Sequence, residues 1–214
     1  MQYFENAGNA GIVLKIVEAI KSNKVYLSDI DGEIGDGDHG INMNKGFSMA
    51  EENITIDQSF SEAMKTVGDT LLLEIGGSMG PIYGTFFRVC AKTAKTHAEI
   101  NATLFSEMLE SAMNNVAEIG GAKVGDKTLI DTLHPAVSAF KTEIESGKSF
   151  SVALQEAEKA AETGKNSTKE MMAKIGRSAR LGERSVGVLD AGATSCHIIL
   201  KAMFEGVAAT IKDK

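Results

Sequence analysis

Residues 11–21 read Gly-Ile-Val-Leu-Lys-Ile-Val-Glu-Ala-Ile-Lys, and within them Ile12, Val13, Ile16, Val17 and Ile20 recur at steps of three and four. That spacing gathers the apolar side chains on one face of a helix, whereas a half-buried strand would alternate at every second residue. The same period predicts helices over residues 59–75, 81–94, 103–119, 129–144, 149–162, 167–175 and 194–211, and no segment alternates over the length of a strand. About eight amphipathic helices and no sheet make the expected fold class all-α. Ser59 with Glu62, Ser167 with Glu170 and Thr128 with Asp131 each set an acid three residues after a hydroxyl, the pattern of a capping box at a helix start. Pro81 and Pro135 are expected in a first turn or at the end of an element.

The bulk composition narrows the function classes. With 214 residues and 43% hydrophobic content the chain can bury a sizeable core, and one domain over residues 1–214 is expected, without repeats or linkers. No apolar run approaches the ~20 residues of a membrane span, and the first residues lack a basic leader with an apolar block, so a cytoplasmic location is expected. Cys90 and Cys196 both fall in apolar helical patterns and read as two buried thiols, not as a disulfide or metal pair. A formal charge of −7 disfavours nucleic acid as a partner, because affinity for a phosphate backbone comes from clustered Lys and Arg. An acidic protein that handles phosphates requires a metal between the like charges.

Glycines gather at residues 32–46, 76–84, 120–125 and 176–192, always between helical segments. Glycine serves as a helix C-cap, and it also lets backbone approach a ligand closely. The first cluster, residues 29–42, holds Asp29, Asp31, Glu33, Asp36 and Asp38 within ten residues. Such carboxylates repel one another unless a cation sits among them. An open loop of hard oxygen donors suits magnesium, which keeps waters and substrate phosphates in its shell. Three other readings of this loop fail. Gly35-x-Gly37-x-x-Gly40 matches a dinucleotide fingerprint in letters, but Asp36 and Asp38 put negative charge into the turn and the preceding residues read as helix. An EF-hand beginning at Asp36 would have Ile41 at its turn-glycine position and Phe47 at its bidentate acid. His39 has no cysteine or second histidine at zinc-ligand spacing.

Residues 120–128, GGAKVGDKT, miss a phosphate-binding P-loop by one aspartate between the second glycine and Lys127. Asp126 and Thr128 suit a helix cap there, and Lys127 is read as structural in preference to a nucleotide contact. Residues 76–81, GGSMGP, lead into a helix whose N-terminus would present N–H groups to an anion. Residues 174–184 carry the densest positive charge, including Arg177, Arg180 and Arg184, and Asp190-Ala191-Gly192 follows as a turn into the last helix.

Taken in order, IDGEIGDGDHGINMNKGF, GGSMGPIYGTFF, GDKTLIDTLHPA and GRSARLGERSVGVLDAGATS cover all four glycine clusters over nearly the whole chain. Together they resemble the L subunits of dihydroxyacetone kinases. The resemblance implies a closed barrel of eight antiparallel amphipathic helices with the nucleotide, ADP or ATP, at one rim. It makes Asp31, Asp36 and Asp38 ligands of magnesium, two ions being expected. It places His39, Asn42, Ser78, Met79, Gly120, Leu129, Arg177, Asp190, Ala191 and Gly192 around the nucleotide. It also implies a K-type subunit that holds ketose and an M-type phosphohistidine protein as phosphoryl donor, with no catalytic base in this chain. The alternatives are half of a kinase using exchangeable ATP, and a non-catalytic nucleotide-binding regulator. Met79 stands where the family commonly has serine, and Ala191 where it commonly has proline, so the departures fall in the nucleotide site.

Overall fold

Helix α1 spans Ala10–Ser22 and buries Ala10, Ile12, Val13, Ile16, Val17 and Ile20, the stripe set by the period of the sequence. Each isoleucine or valine so buried contributes roughly 1.5–3 kcal/mol relative to exposure. The structure, a computed structural model, describes residues 2–214. After α1 come α2 (Lys24–Ile34), α3 (His39–Glu51), α4 (Phe60–Glu74), α5 (Met79–Ala94), α6 (Ala102–Gly120), α7 (Ile130–Glu145), α8 (Phe150–Ser167) and α9 (Ala191–Ala208). Neighbours pack in a closed ring, α1–α9–α8–α7–α6–α5–α4–α3 and back to α1, while α2 lies across α3 and α9. One continuous apolar core fills the ring. The fold is all-α, and among the described residues no helix is long and apolar enough to cross a membrane.

The two ends of the ring differ. At one end three short antiparallel strands, β1 (Gln2–Glu5), β2 (Glu99–Asn101) and β3 (Lys212–Asp213), form a sheet in the order β2-β1-β3 with Phe4 opposite Ile100. Strands of two to four residues are too short to show an alternating pattern, so the sequence gives no sign of this sheet. Phe4 lies against Phe60, Phe105 and Phe150, with ring centroids 5.3, 6.3 and 6.4 Å away. These three rings belong to the first turns of α4, α6 and α8, so those helices start at the sheet end. Helices α3, α5, α7 and α9 start at the other, and consecutive helices alternate in direction.

Two expectations are corrected. The helix expected over residues 167–175 does not form: α8 runs on to Ser167, and a 3₁₀ turn at Thr168–Glu170 ends it. Ser167 Oγ donates to the Gly164 carbonyl and Thr168 Oγ1 to that of Lys165, so the hydroxyls finish α8 and start nothing new. The place of that helix in the ring is taken by α3. Pro135 is neither in a first turn nor at an end, since it lies inside α7. It leaves the Asp131 carbonyl without its helical N–H partner, and Gly164 of α8 packs against that point. A Cβ on Gly164 would lie 2.2 Å from the Asp131 oxygen and 2.8 Å from Pro135 Cγ. Gly164→Ala is therefore expected to lower stability by about 1–3 kcal/mol through overpacking of α7 on α8, measured as a reduced urea midpoint with an unchanged m-value.

Candidate functional site

The helix N-termini show where an anion would be received. At the sheet end the cap residues Ser59, Asn101 and Ser149 each accept a backbone N–H of their own helix, and Ser59 with Glu62 completes a reciprocal capping box. At the opposite end the caps of α3, α5 and α7, namely Asp38, Ser78 and Leu129, make no side-chain capping bond. In α7 the first turn is satisfied locally, Thr128 Oγ1 accepting the Ile130 N–H at 3.2 Å and the Thr128 and Leu129 carbonyls the next ones, and in α3 Asp31 accepts the His39 N–H. The other N–H groups at the starts of α3 and α5 and the positive ends of these dipoles remain for a ligand. The α9 start is capped by its own cap residue, with Asp190 Oδ2 accepting the Ala193 N–H at 2.7 Å.

These N-termini surround one cavity of about 730 Å³. Every residue that the resemblance puts at the metal or the nucleotide lines it: Asp31, Asp36, Asp38, His39, Asn42, Ser78, Met79, Gly120, Leu129, Arg177, Asp190, Ala191 and Gly192. Apolar walls of Ile34, Ile82, Ile119 and Ile175, together with Tyr83, complete it and were not foreseen. Their apolar side chains look like core positions in a helical pattern, and nothing local marks them as facing a cavity.

The loop between α2 and α3 brings the carboxylates of Asp31, Asp36 and Asp38 together, with one oxygen from each within 4.8 Å of the others. Among the described residues this is the only group of three His, Cys, Asp or Glu side chains placed to share a metal ion. Arg177 ion-pairs with Asp36 and lies 3.6 Å from Asp38, so a guanidinium supplies the positive charge the cluster demands. Hard oxygen donors in a half-exposed loop fit magnesium and leave room for phosphate and water.

Residues 120–128 do not cradle phosphate. Gly125 N–H and Thr128 N–H donate to Asp131 at 2.6 and 2.8 Å, and Lys123 N–H donates to Asp126 at 2.9 Å. Three of the donors that a P-loop would offer are thereby already used. Thr128 and Asp131 make one half of a capping box, the acid reaching back to the Thr128 N–H.

Lys127 is buried, and its ammonium donates to the carbonyls of Met171, Ser185 and Val188, at 3.2 Å for Met171 and 2.7 Å for Val188. It thereby hangs the irregular segment 171–188, which carries Arg177, over the cavity. Burial lowers its pKa, and the charge of Asp190 opposes the shift. Ser185 Oγ adds a second tie by accepting the Ala173 N–H at 2.9 Å.

Burial pushes Asp190 up to about 6; the Ala193 N–H and Lys127 hold it down, while Asp131 and Asp31 add to the rise. A carboxyl whose folded pKa lies above its unfolded value binds more protons when folded. Its contribution to stability is therefore present at low pH and lost as pH rises from about 4 to about 6. Asp190→Asn keeps an oxygen for the Ala193 N–H. It is expected to flatten the pH dependence of stability in that window and to raise the melting temperature of the ligand-free chain at pH 7.5. An unchanged profile in a thermal melt series would count against the burial assigned to this carboxyl.

His39 is buried, which lowers its imidazole to about 4 against the opposing charge of Asp31. The ring is neutral near pH 7. Its Nε2 lies 2.9 Å from Ser195 Oγ, a contact that no sequence signal announces. Cys90 and Cys196 are free and buried, as their patterns suggest.

Residues 33–205 match the DAK2 domain. The chain is 38% identical over 180 residues to an Escherichia coli protein named PEP-dependent dihydroxyacetone kinase, ADP-binding subunit DhaL; the match covers 83% of this chain and 86% of that one. It is 36% identical over 196 residues to the PTS-dependent dihydroxyacetone kinase, ADP-binding subunit DhaL, of Lactococcus lactis, covering 91% and 94% of the two chains. Among solved structures, the native dihydroxyacetone kinase of C. freundii is similar with a TM-score of 0.70 at 24% identity, over 92% of this chain and 34% of that longer one. The same enzyme in complex with AMP-PNP and Mg2+ gives 0.66 at 23% identity, over 92% and 33%. These two likenesses concern the fold, whereas the match over residues 33–205 and the relatives of similar length establish that the chain belongs to the DAK2 domain family.

Proposed function

We propose that the chain is the nucleotide-carrying subunit of a dihydroxyacetone-type ketose kinase. A phosphoryl group crosses it by way of bound ADP, from an M-type phosphohistidine protein to ketose held on a K-type subunit. One observation carries this reading: three convergent carboxylates and the uncapped N-termini of α3 and α5 face the same cavity. Carboxylates repel phosphate and N-termini attract it, so a divalent cation between them reconciles the two. The ADP-binding subunits that the chain resembles support the choice of nucleotide.

In this reading Asp31, Asp36 and Asp38 would hold magnesium, two ions being expected. When bound, the metal neutralises the phosphate charge that phosphoryl transfer concentrates. The chain's own groups orient. Backbone N–H groups at the starts of α3 and α5 fix the phosphates, Arg177 moves from the carboxylates to the phosphates, and Gly120, Leu129 and Met79 flank the remainder of the nucleotide. Preorganised donors of this kind stabilise the transition state without a base, and none is assigned. The chain acts as a single domain in the cytoplasm, and the ketose is chosen elsewhere.

Purified chain is expected to carry ADP through gel filtration in magnesium buffer and to phosphorylate no ketose until the K and M partners are added. Ketose phosphate formed from ATP by this chain alone would refute the assignment.

A further inference from the structure

Behind the cavity three buried side chains form a line. Tyr83 of α5 places its hydroxyl 2.6 Å from Ser195 Oγ of α9, and Ser195 Oγ lies 2.9 Å from His39 Nε2 of α3. The Gly192 carbonyl lies 3.2 Å from both hydroxyls. Ser195 is fully buried and Tyr83 and His39 nearly so, and the tyrosine and histidine rings meet edge-on at 6.4 Å. Three separate helices thus converge on one imidazole nitrogen.

We propose that Ser195 and Tyr83 are positioning residues that hold His39 in one orientation and one tautomer, with Nε2 as acceptor and Nδ1–H as the donor left for the cavity. Each hydroxyl has one proton to give. Tyr83 donating to Ser195, and Ser195 to Nε2, puts one proton in each of the two shorter contacts; the 3.2 Å approaches to Gly192 are secondary, because a helix carbonyl has its own N–H partner. The rival order, Nε2–H to Ser195 and Ser195 to Gly192, leaves the Nδ1 lone pair to a cavity lined with carboxylates. Asp31 already accepts the His39 backbone N–H at 3.3 Å, so negative charge lies beside this residue and favours a proton on Nδ1. The partner of one ring nitrogen sets what the other does. A neutral ring held this way donates to a phosphate oxygen with its orientation fixed beforehand.

The tautomer stands independently of any ligand, while its consequence for ADP rests on the function proposed above. The test uses the whole protein labelled with 15N-histidine at pH 7, with His39 assigned by its loss in His39→Gln. Long-range 1H–15N correlations of the imidazole are expected to show the proton on Nδ1. Ser195→Ala should move it to Nε2 or to a mixture and speed release of magnesium-ADP by about fivefold, the worth of one ordinary hydrogen bond. Tyr83→Phe, which keeps Ser195, should shift the nitrogen resonances in the same direction, and it decides the matter should Ser195→Ala fail to fold. A proton on Nε2 in the unaltered protein, or variants with an unchanged tautomer, would overturn the proposal. An unaltered protein that retains no ADP would count against the nucleotide reading, and the tautomer would still be decided by the spectra of the ligand-free chain.

Discussion

Asp36→Ala and Asp38→Ala are each expected to weaken binding of ADP in magnesium buffer by more than about 100-fold, since loss of groups that only support metal ligands already costs ~10–100-fold. The fold should hardly notice. Both carboxylates sit in a half-exposed loop, and their partner in the structure is Arg177, itself more than half exposed at 58%. Surface ion pairs of that kind contribute about 0–1 kcal/mol, so the melting curve should stay within a few degrees of the unaltered protein. Calorimetric titration with ADP, with and without magnesium, reads the effect directly. Full ADP affinity in either variant would remove these residues from the metal site.

The second large effect is expected at Lys127. Lys127→Met keeps the aliphatic stem and removes the ammonium, leaving the carbonyls of Met171, Ser185 and Val188 buried without their donor. Stranding such a group costs about 1–3 kcal/mol, and several share the loss here, so the opening free energy of segment 171–188 should fall by ~3–5 kcal/mol. The ring of helices does not depend on that segment. The expected result is rapid amide exchange and protease cleavage confined to residues 171–188, with the helices still protected and ADP binding weakened through displaced Arg177 and Asp190. Unchanged exchange in the segment would show that Ser185 and its neighbours hold it without the lysine.

Much of this architecture is legible in the sequence because apolar side chains mark most of the ring helices. Helix α1, α4 to α8 and α9 each carry a stripe of Ile, Leu, Val, Phe or Met, and their ends fall within a few residues of those the period predicts. Helix α3 was illegible for a physical reason. Its inward face is His39, Gly40, Met43, Gly46, Phe47 and Ala50, with glycines where a stripe would show bulk. They are there because backbones meet: a Cβ on Gly40 would lie 2.0 Å from the Lys24 carbonyl, and one on Gly46 2.4 Å from Leu71. The closeness that locks α3 to α2, and so shapes the aspartate loop between them, erases the periodic signal.

The candidate site divides in the same way. Asp31, Asp36 and Asp38 are neighbours in sequence, so their clustering is visible without a structure. The ties that set the rest of the cavity are remote: Lys127 reaches 44 to 61 residues along the chain, and His39 meets Ser195 across 156. A serine inside an apolar helix gives no hint of such a partner. Lys127 does not pair with the nearby Asp131, whose oxygens are taken by the Gly125 and Thr128 N–H groups.

ADP is expected to remain on this chain while phosphoryl groups pass over it. The chain would be loaded with radiolabelled ADP and magnesium, freed of excess nucleotide, and mixed with phosphorylated M-type donor, K-type subunit and dihydroxyacetone in the presence of excess unlabelled ADP. Many turnovers of dihydroxyacetone phosphate, with the radiolabel still bound to the chain, are the predicted result. Turnover that requires free ATP, or radiolabel lost in step with product, would contradict it.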